Sequence, residues 1–169
     1  MKDGEALKWQ GNSLNKEDLV VLNVTPAIFQ HIKKELIKIE KVSFATPWTE
    51  KMFADEADNP ASCFWGLYLR PETFIGYLCC WILAKEEMQL MKIAVTPEYR
   101  QRGYGKYLLA KLLEYGLSKD IKSVWLEVRE SNIAARSLYH SCCFKDVGSR
   151  PGYYDNPKED AILMTFYYI

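Results

Sequence analysis

The stretch MKIAVTPEYRQRGYGKYLL, residues 91–109, contains the signals of a strand, a tight turn and a helix in direct succession. Apolar side chains alternate with less apolar ones over residues 91–95, which is the period of a β-strand. Pro97 then ends the strand, because proline lacks the N–H group that a sheet requires. After a basic turn, Leu108 and Leu112 recur at helical spacing. The stretch therefore predicts a strand that enters a helix through a glycine-containing turn.

The turn itself, RQRGYG at residues 100–105, has the composition of a phosphate-binding loop. Glycine lets the backbone approach a ligand closely, and the first N–H groups of a helix have no partner within the helix. The spacing matches neither Gly-x-x-x-x-Gly-Lys-Ser/Thr nor Gly-x-Gly-x-x-Gly, which argues against a nucleoside triphosphatase or a dinucleotide-binding protein. On the turn alone, phosphate binding and a plain glycine turn before a surface helix stay equally open.

The composition is that of an ordinary globular protein, with 169 residues, 49% hydrophobic and 26% charged. The formal net charge is zero, so there is no electrostatic footprint for non-specific binding of nucleic acid. No apolar run approaches the roughly 20 residues of a membrane-spanning helix, and the N-terminus lacks the apolar segment of a signal peptide. We expect a cytoplasmic protein that binds neither nucleic acid nor membrane.

The five cysteines and two histidines do not have the spacing of a metal site. No Cys-x-x-Cys pair is present and the number of cysteines is odd. The cysteines are therefore expected to be small buried apolar residues that stay reduced. We expect no metal cofactor.

The periodicities predict one α/β domain over residues 19–169, preceded by a flexible extension at residues 1–18. The predicted order is β-α-α-β-β-β-α-β-α-β-β, a mixed sheet with helices on both faces. The predicted strands are residues 19–24, 62–69, 73–83, 91–95, 123–129, the segment from 144 onward, and 161–168; the predicted helices are residues 26–42, 50–58, the segment after the glycine turn, and 132–142. Residues 150–159 are predicted to be a loop.

Several motifs in this order carry a family resemblance. They are RQRGYG at residues 100–105, WLEVRESN at 125–132 followed by Leu138, Tyr139 and Phe144, FATPWT at 44–49, and RPGYY at 150–154. Together they resemble the GNAT superfamily of N-acetyltransferases, and within it the RimI branch of ribosomal-protein-alanine N-acetyltransferases. The resemblance extends from about Leu19 to the C-terminus, and it implies the GNAT fold.

The resemblance implies that acetyl-coenzyme A (acetyl-CoA) is the cosubstrate. The residues it assigns to acetyl-CoA are Ile93, Ala94, Val95, Gln101, Arg102, Gly103, Tyr104, Gly105, Lys106 and Asn132. The backbone amides of the first three would polarise the thioester carbonyl, because donors fixed in advance stabilise an oxyanion without reorganising. Asn132 has a second, compatible interpretation as the N-cap of a helix.

By the same resemblance, Glu127 is the general base and Tyr139 is the general acid that protonates the leaving thiolate. The chemistry agrees for Glu127, because an α-amine of reference pKa about 8 is mostly protonated at neutral pH and must lose a proton before it attacks. The alternatives are a solvated strand glutamate for Glu127 and simple aromatic packing for Tyr139.

The acceptor side is assigned to four aromatic residues, Phe44, Trp48, Tyr153 and Tyr154, for which ordinary packing is the alternative. The resemblance implies acetyl transfer to the N-terminal α-amine of a protein, with the alanine terminus of a ribosomal protein as the expected acceptor. A lysine side chain or a small amine is the alternative acceptor. A coenzyme-binding module without catalysis is the third possibility, and the presence of both Glu127 and Tyr139 argues against it.

One position departs from the family pattern. The family usually has glycine before the phenylalanine that follows the fourth helix, and here that position is Cys143, before Phe144. Glycine there serves as the left-handed residue that ends a helix, a conformation that cysteine tolerates poorly. The helix is therefore expected either to end differently or to hold Cys143 under strain.

Overall fold

The structure, a computed structural model, describes residues 18–70, 72–83 and 86–169. Its elements follow the predicted order, with a short 3₁₀ helix at Pro97–Tyr99 before the third α-helix. The strands are β1 (Leu19–Asn23), β2 (Ser62–Leu69), β3 (Thr73–Leu83), β4 (Glu87–Val95), β5 (Ser123–Arg129), β6 (Lys145–Asp155) and β7 (Lys158–Tyr167); the helices are α1 (Pro26–Ser43), α2 (Glu50–Asp58), α3 (Tyr104–Ser118) and α4 (Ile133–Ser141). The predicted extension lies outside the described residues except for Asp18.

All seven strands belong to one sheet in the order β1-β2-β3-β4-β5-β7-β6. Neighbouring strands are antiparallel except β4 and β5, which are parallel. The parallel pair is connected through α3, as a parallel connection requires a crossover. The predicted mixed sheet is confirmed.

The two faces of the sheet carry two separate apolar cores. On β3, Leu78 and Cys80 belong to the core that includes α3 and α4, whereas Tyr77 and Cys79 belong to the core that includes α1 and α2. This division follows from the period of two along a strand, which sends successive side chains to opposite faces. Helices therefore cover both faces, as predicted.

Both helices of the first pair begin at threonine caps. The side-chain oxygen of Thr25 accepts from the N–H of Ile28, and that of Thr49 accepts from the N–H of Met52. At the end of α1 the N–H of Phe44 donates to Glu40 O, so the segment between the two helices, the FATPWT motif at residues 44–49, is held by this bond at its start and by the Thr49 cap at its end.

The prediction of a loop over residues 150–159 is wrong. These residues form the end of β6 and the start of β7, joined by a tight connection, and Arg150 lies opposite Ala161 in the β6–β7 ladder. The strand signal is weak in the sequence because β6 is an edge strand in which nearly every residue is exposed. An edge strand without a buried face needs no apolar alternation, and it can contain Pro151.

Candidate active site

The parallel strands β4 and β5 separate along their second halves. Their register pairs Glu87–Leu90 with Ser123–Leu126 and stops there, although β4 continues to Val95 and β5 to Arg129. On its other side β4 carries a bulge, since Cys79 is opposite Lys92 and Cys80 is opposite Leu90, which leaves Met91 without a partner. A bulge bends its strand and increases its twist, so it accounts for a gap that begins at this residue.

The gap exposes backbone groups of β4 that a sheet would normally pair. The N–H of Thr96 donates to Ile75 on β3, and the backbone groups of a strand alternate in direction, so those of Val95 and Ile93 point into the gap. The carbonyl of Val95 confirms this direction, because it accepts from Nε of Arg100 at 2.9 Å. By the same alternation the backbone of Ala94 is directed to β3.

The glycine turn leads directly into the N-terminus of α3. Gly103 is its N-cap residue, with φ +87°, and it offers no side chain to cap the helix. Gln101 is also left-handed, with φ +59°. The first N–H groups of α3 therefore keep the character of an anion-binding site.

The residues predicted to hold acetyl-CoA at this turn differ in what their side chains do. Tyr104 is buried, and its ring packs 6.0 Å from that of Tyr99, so only its backbone is available. Gln101 and Arg102 are exposed, and the guanidinium of Arg102 lies 5.5 Å from the Tyr99 ring. Lys106, in the first turn of α3, is half-buried. The turn can thus offer backbone amides together with two basic side chains.

Arg100 has a structural role that the sequence analysis did not assign. Besides its bond to Val95, its Nη2 donates to Oγ of Ser43 at the end of α1, 2.8 Å away. Arg100 therefore connects α1, β4 and the turn, which explains a basic residue at the first position of the motif. Its distance of 57 positions from Ser43 leaves no local signal in the sequence.

The start of α3 lies directly against α4. A Cβ added to Gly105 would approach Cδ2 of Leu138 to 3.3 Å, which is tighter than ordinary contact. The adjacent residue is Tyr139, which is buried, with its ring 5.8 Å from that of Phe144. The start of α3 therefore contacts the helix that carries the predicted general acid.

Helix α4 begins at Asn132, whose side-chain oxygen accepts from the N–H of Ala135 at 3.1 Å, so the N-cap interpretation is confirmed. It ends in a Schellman motif: the N–H of Phe144 donates to Tyr139 O and that of Cys143 to His140 O. Cys143 has φ +67°. The helix thus ends as a glycine would end it, and cysteine carries the cost of the left-handed conformation.

Glu127 lies on β5 directly after Leu126, the last residue of β5 that pairs with β4, so it borders the gap. Leu126 and Val128 face the core, as the alternation predicted, and Glu127 faces the other way with 10% of its side chain exposed. Nη1 of Arg150 lies 2.7 Å from Oε1 of Glu127, reaching from β6 across β7. The angles of this ion pair are not those of a hydrogen bond. Within the described residues, Oε1 of Glu127 therefore has no hydrogen-bond partner.

Tyr153 and Tyr154 lie near Glu127, and Tyr139 lies near Tyr154. The nearby carboxylate of Glu127 raises the pKa of Tyr153, and burial followed by the charge of Glu127 raises the pKa of Tyr154 to about 12. Burial, with a smaller contribution from Tyr154, raises the pKa of Tyr139. Tyr153 and Tyr154 pack edge to face at 5.0 Å, and Arg150 lies 5.5 Å from the Tyr153 ring. The structure brings both predicted catalytic residues and two predicted acceptor residues into one cluster.

The other two predicted acceptor residues, Phe44 and Trp48, form a second group around Lys92. Nζ of Lys92 lies 3.7 Å from the centroid of the Phe44 ring and 5.3 Å from that of Trp48. Lys92 directly precedes Ile93 on β4, so this group adjoins the gap from the α1–α2 face. Phe44 and Trp48 are half-buried.

Within residues 18–70, 72–83 and 86–169, no group of three or more His, Cys, Asp and Glu side chains is arranged to hold a metal ion. Among the helices of the same residues, none is long and apolar enough to cross a membrane. The expectation of no metal stays a prediction.

Comparison with known proteins identifies the family. The family model described as "Acetyltransferase (GNAT) family" matches residues 33–144. The chain belongs to this family. The predicted GNAT fold and class, an N-acetyltransferase that uses acetyl-CoA, are thereby confirmed.

Individual relatives are similar over most of their length. The chain is 35% identical over 138 residues to the ribosomal protein bS18-alanine N-acetyltransferase of Haemophilus influenzae, covering 79% of this chain and 91% of the relative. It is 32% identical over 136 residues to the enzyme of the same name from Haemophilus ducreyi, covering 78% and 91%. The crystal structure of the ribosomal-protein-S18-alanine N-acetyltransferase from Escherichia coli superposes with a TM-score of 0.77 at 28% identity, covering 88% of this chain and 93% of that chain. The predicted resemblance to the RimI branch is confirmed.

Proposed function

We propose that this member of the acetyltransferase family transfers the acetyl group of acetyl-CoA to the N-terminal α-amine of a ribosomal protein whose first residue is alanine. The observation that carries the proposal is the cluster of Glu127, Tyr153, Tyr154 and Tyr139 at the gap between β4 and β5. The names of the relatives supply the acceptor, since these enzymes are similar along most of their chains.

The pyrophosphate of acetyl-CoA is assigned to the glycine turn. In the proposed complex, the amides of Gly103, Gly105 and Lys106 donate to phosphate oxygens, helped by the positive end of the α3 dipole. Arg102 and Lys106 add charge, and Asn132 at the start of α4 contributes a further contact. Gly105 has no side chain to cover the backbone at this position, and a Cβ there would press on Leu138.

The thioester carbonyl is assigned to the free edge of β4. The N–H groups of Ile93 and Val95 are directed into the gap and are fixed by the β3–β4 ladder, so they can stabilise the developing oxyanion without reorganising. For this role the proposal rests on Ile93 and Val95, because the backbone of Ala94 is directed to β3.

The acceptor amine is assigned to the Glu127 side of the gap. Glu127 takes a proton from the amine, directly or through one water, and the amine nitrogen then forms a bond to the acetyl carbon. The half-exposed guanidinium of Arg150 keeps the carboxylate paired in the free protein and can move away as the amine enters. Phe44, Trp48, Tyr153 and Tyr154 surround the first residues of the acceptor.

The leaving thiolate is assigned to Tyr139. As the carbon–sulfur bond breaks, the sulfur gains the negative charge and the hydroxyl of Tyr139 donates a proton to it. The nitrogen loses its second proton as the intermediate collapses, and that proton returns through water to the Tyr139 oxygen. Because burial raises the pKa of Tyr139, its hydroxyl stays protonated at neutral and mildly alkaline pH and remains able to donate. We place this reaction in the cytoplasm, where cysteines stay reduced.

The proposal is tested by intact-mass analysis of a lysine-free peptide that begins with alanine, incubated with the protein and acetyl-CoA. We expect the peptide to gain one acetyl group. The matched control is the same peptide with a blocked N-terminus, which should gain none. No gain on the free peptide would contradict the proposal and favour a non-catalytic binding module, or an acceptor of another class.

A further inference from the structure

Glu40, near the end of α1, is a fully buried carboxylate that the proposed reaction does not use. Its Oε1 accepts from the N–H of Trp48 at 2.7 Å and lies 2.8 Å from Nζ of Lys92, and its Oε2 accepts from the hydroxyl of Tyr77. A buried charge is costly unless it is paired and hydrogen-bonded, and here three donors satisfy both oxygens.

The partners of Glu40 come from three parts of the chain that meet at the gap. Trp48 lies in the α1–α2 segment, Tyr77 lies on β3, and Lys92 lies on β4 directly before Ile93. One carboxylate therefore joins the segment assigned to the acceptor with the strand whose free amide is assigned to the thioester carbonyl. The separation along the chain is 8, 37 and 52 positions for these contacts, so the junction is tertiary rather than local.

Lys92 extends the same junction to the aromatic rings. Only 11% of its side chain is exposed, and its ammonium lies between Glu40 and the face of Phe44. Burial lowers the pKa of Lys92, and the hydrogen bond to Glu40 opposes that shift. A desolvated ammonium over an aromatic face is attracted to the ring, so Glu40 holds Phe44 through Lys92 and Trp48 directly.

We propose that Glu40 is a positioning residue that sets the distance between the acceptor-binding aromatics, Phe44 and Trp48, and the oxyanion amide of Ile93. The proposal rests on the proposed function, and it concerns the acceptor peptide rather than acetyl-CoA. Glu40 touches neither substrate, and it acts through Lys92 and Trp48. Its loss misplaces the acceptor relative to the thioester and leaves the glycine turn unchanged.

The test is steady-state kinetics of Glu40→Gln with the lysine-free peptide that begins with alanine. A misplacement of about 1 Å by a residue remote from the chemistry can cost about 100-fold, so we expect acceptor kcat/KM to fall about 10- to 100-fold, mainly through a higher KM. The Kd of acetyl-CoA should stay within about twofold, because the side-chain partners of Glu40 are Trp48, Tyr77 and Lys92 and include no residue of the pyrophosphate turn at 101–106. A tenfold change would be about 1.4 kcal/mol.

The matched control is Glu56→Gln. Glu56 is a second buried carboxylate, on α2 in the same layer, but its partners are Nε1 of Trp81 at 2.8 Å and Sγ of Cys79 at 3.5 Å on β3. Its replacement also removes a buried charge, and it should leave the acceptor KM within about twofold of the wild-type value. Thermal unfolding of both variants reports the purely structural part of each change.

A double variant covers the case in which Glu40→Gln does not fold. Glu40→Gln with Lys92→Met removes both charges at similar volume, which proteins often tolerate, and it should also raise the acceptor KM. Equal effects of the Glu40 and Glu56 variants, or an unchanged acceptor KM in the folded Glu40 or double variant, would overturn the positioning role while the proposed function stands. Absence of turnover by the wild-type protein would instead overturn the proposed function, and the positioning role with it.

Discussion

The two sides of the gap between β4 and β5 differ in what they offer a ligand: one offers mainly backbone groups and the other mainly side chains. The side that holds the pyrophosphate of acetyl-CoA consists mainly of one contiguous backbone turn, residues 101–106, which includes the start of α3. The side assigned to the acceptor consists of side chains from four separate parts of the chain: Phe44 and Trp48, Lys92, Glu127, and the β6 residues from Arg150 to Tyr154.

Because of this difference, we expect the two sides to tolerate different amino-acid substitutions. A backbone cradle depends on conformation, so it is sensitive to glycine replacement and insensitive to most other exchanges. A side-chain cluster depends on contacts between distant segments, so it can change its acceptor by exchanging single residues. Variants should therefore impair one side and leave the other intact.

The largest effect is expected for Glu127→Gln. Turnover should fall about 10²–10⁴-fold near neutral pH, because general bases contribute about that much. The loss should shrink toward about pH 9, since an α-amine of reference pKa about 8 then arrives without its proton. The pH profile of turnover is the measurement, and an unchanged Kd for acetyl-CoA is the control. Full activity from about pH 6.5 to about pH 9 would mean that the base lies elsewhere.

A smaller effect on the opposite side is expected for Gly105→Val. The new Cβ would lie 3.3 Å from Cδ2 of Leu138, so Leu138 must move slightly, and the added methyl groups would stand in the first turn of α3, where the phosphates are assigned. The affinity for acetyl-CoA should therefore fall about tenfold or more, about 1.4 kcal/mol. Isothermal titration calorimetry measures the Kd. The control is Gly148→Val on β6, whose Cβ would meet Leu163 at an ordinary 3.5 Å, and which should bind acetyl-CoA as the wild type does. Unchanged affinity in Gly105→Val would contradict the cradle.

A substitution at the end of α4, next to Tyr139, is expected to stabilise the fold. Cys143 has φ +67°, and Cys143→Gly should raise the free energy of unfolding by about 1 kcal/mol, because a non-glycine residue costs about that much in the left-handed region. The corresponding rise in Tm is about 2–4 °C for a protein of this size. Thermal unfolding is the measurement. A lower Tm would show that the thiol contributes more through its packing than the conformation costs.

The smallest effect concerns acid stability on the acceptor side. The hydrogen bond from Arg129 lowers the pKa of Glu159 below its ordinary 4.5, and hydrogen bonds from Ser131 contribute less. A lowered pKa in the folded state means that Glu159 stabilises the fold above about pH 4.5 and loses this contribution as the pH falls through the lowered value. The free energy of unfolding should therefore decline less steeply from about pH 5 to about pH 3 in Glu159→Gln than in the wild type. If the free energy of unfolding declines equally steeply in both proteins, Glu159 does not stabilise the fold in this way.

The sequence predicted the order of the elements because each element carries its own signal. Strands β2 and β3 begin and end where predicted, and both threonine-capped helices are present. The β6–β7 hairpin was missed, because an exposed edge strand needs no apolar alternation and the glycine and proline in RPGYY resemble a loop.

The site was predicted in its parts but not in its assembly. Motifs adjacent in sequence located Glu127, Asn132 and the glycine turn. Nothing local indicates the bulge at Met91 that opens the gap, or the contact of Arg150 with Glu127 across β7. Such features arise from sheet register and from pairs far apart in the chain, which a single sequence does not specify.

The most direct test of the central claim is a competition within one peptide that carries both a free N-terminal alanine and an internal lysine. A lysine amine, of reference pKa about 10.4, holds its proton about 2.5 units more tightly than an α-amine of about 8, or about 3 kcal/mol. With acetyl-CoA and the wild-type protein, fragmentation mass spectrometry at early times should locate the first acetyl group on the alanine α-amine. Faster acetylation of the lysine would contradict the account.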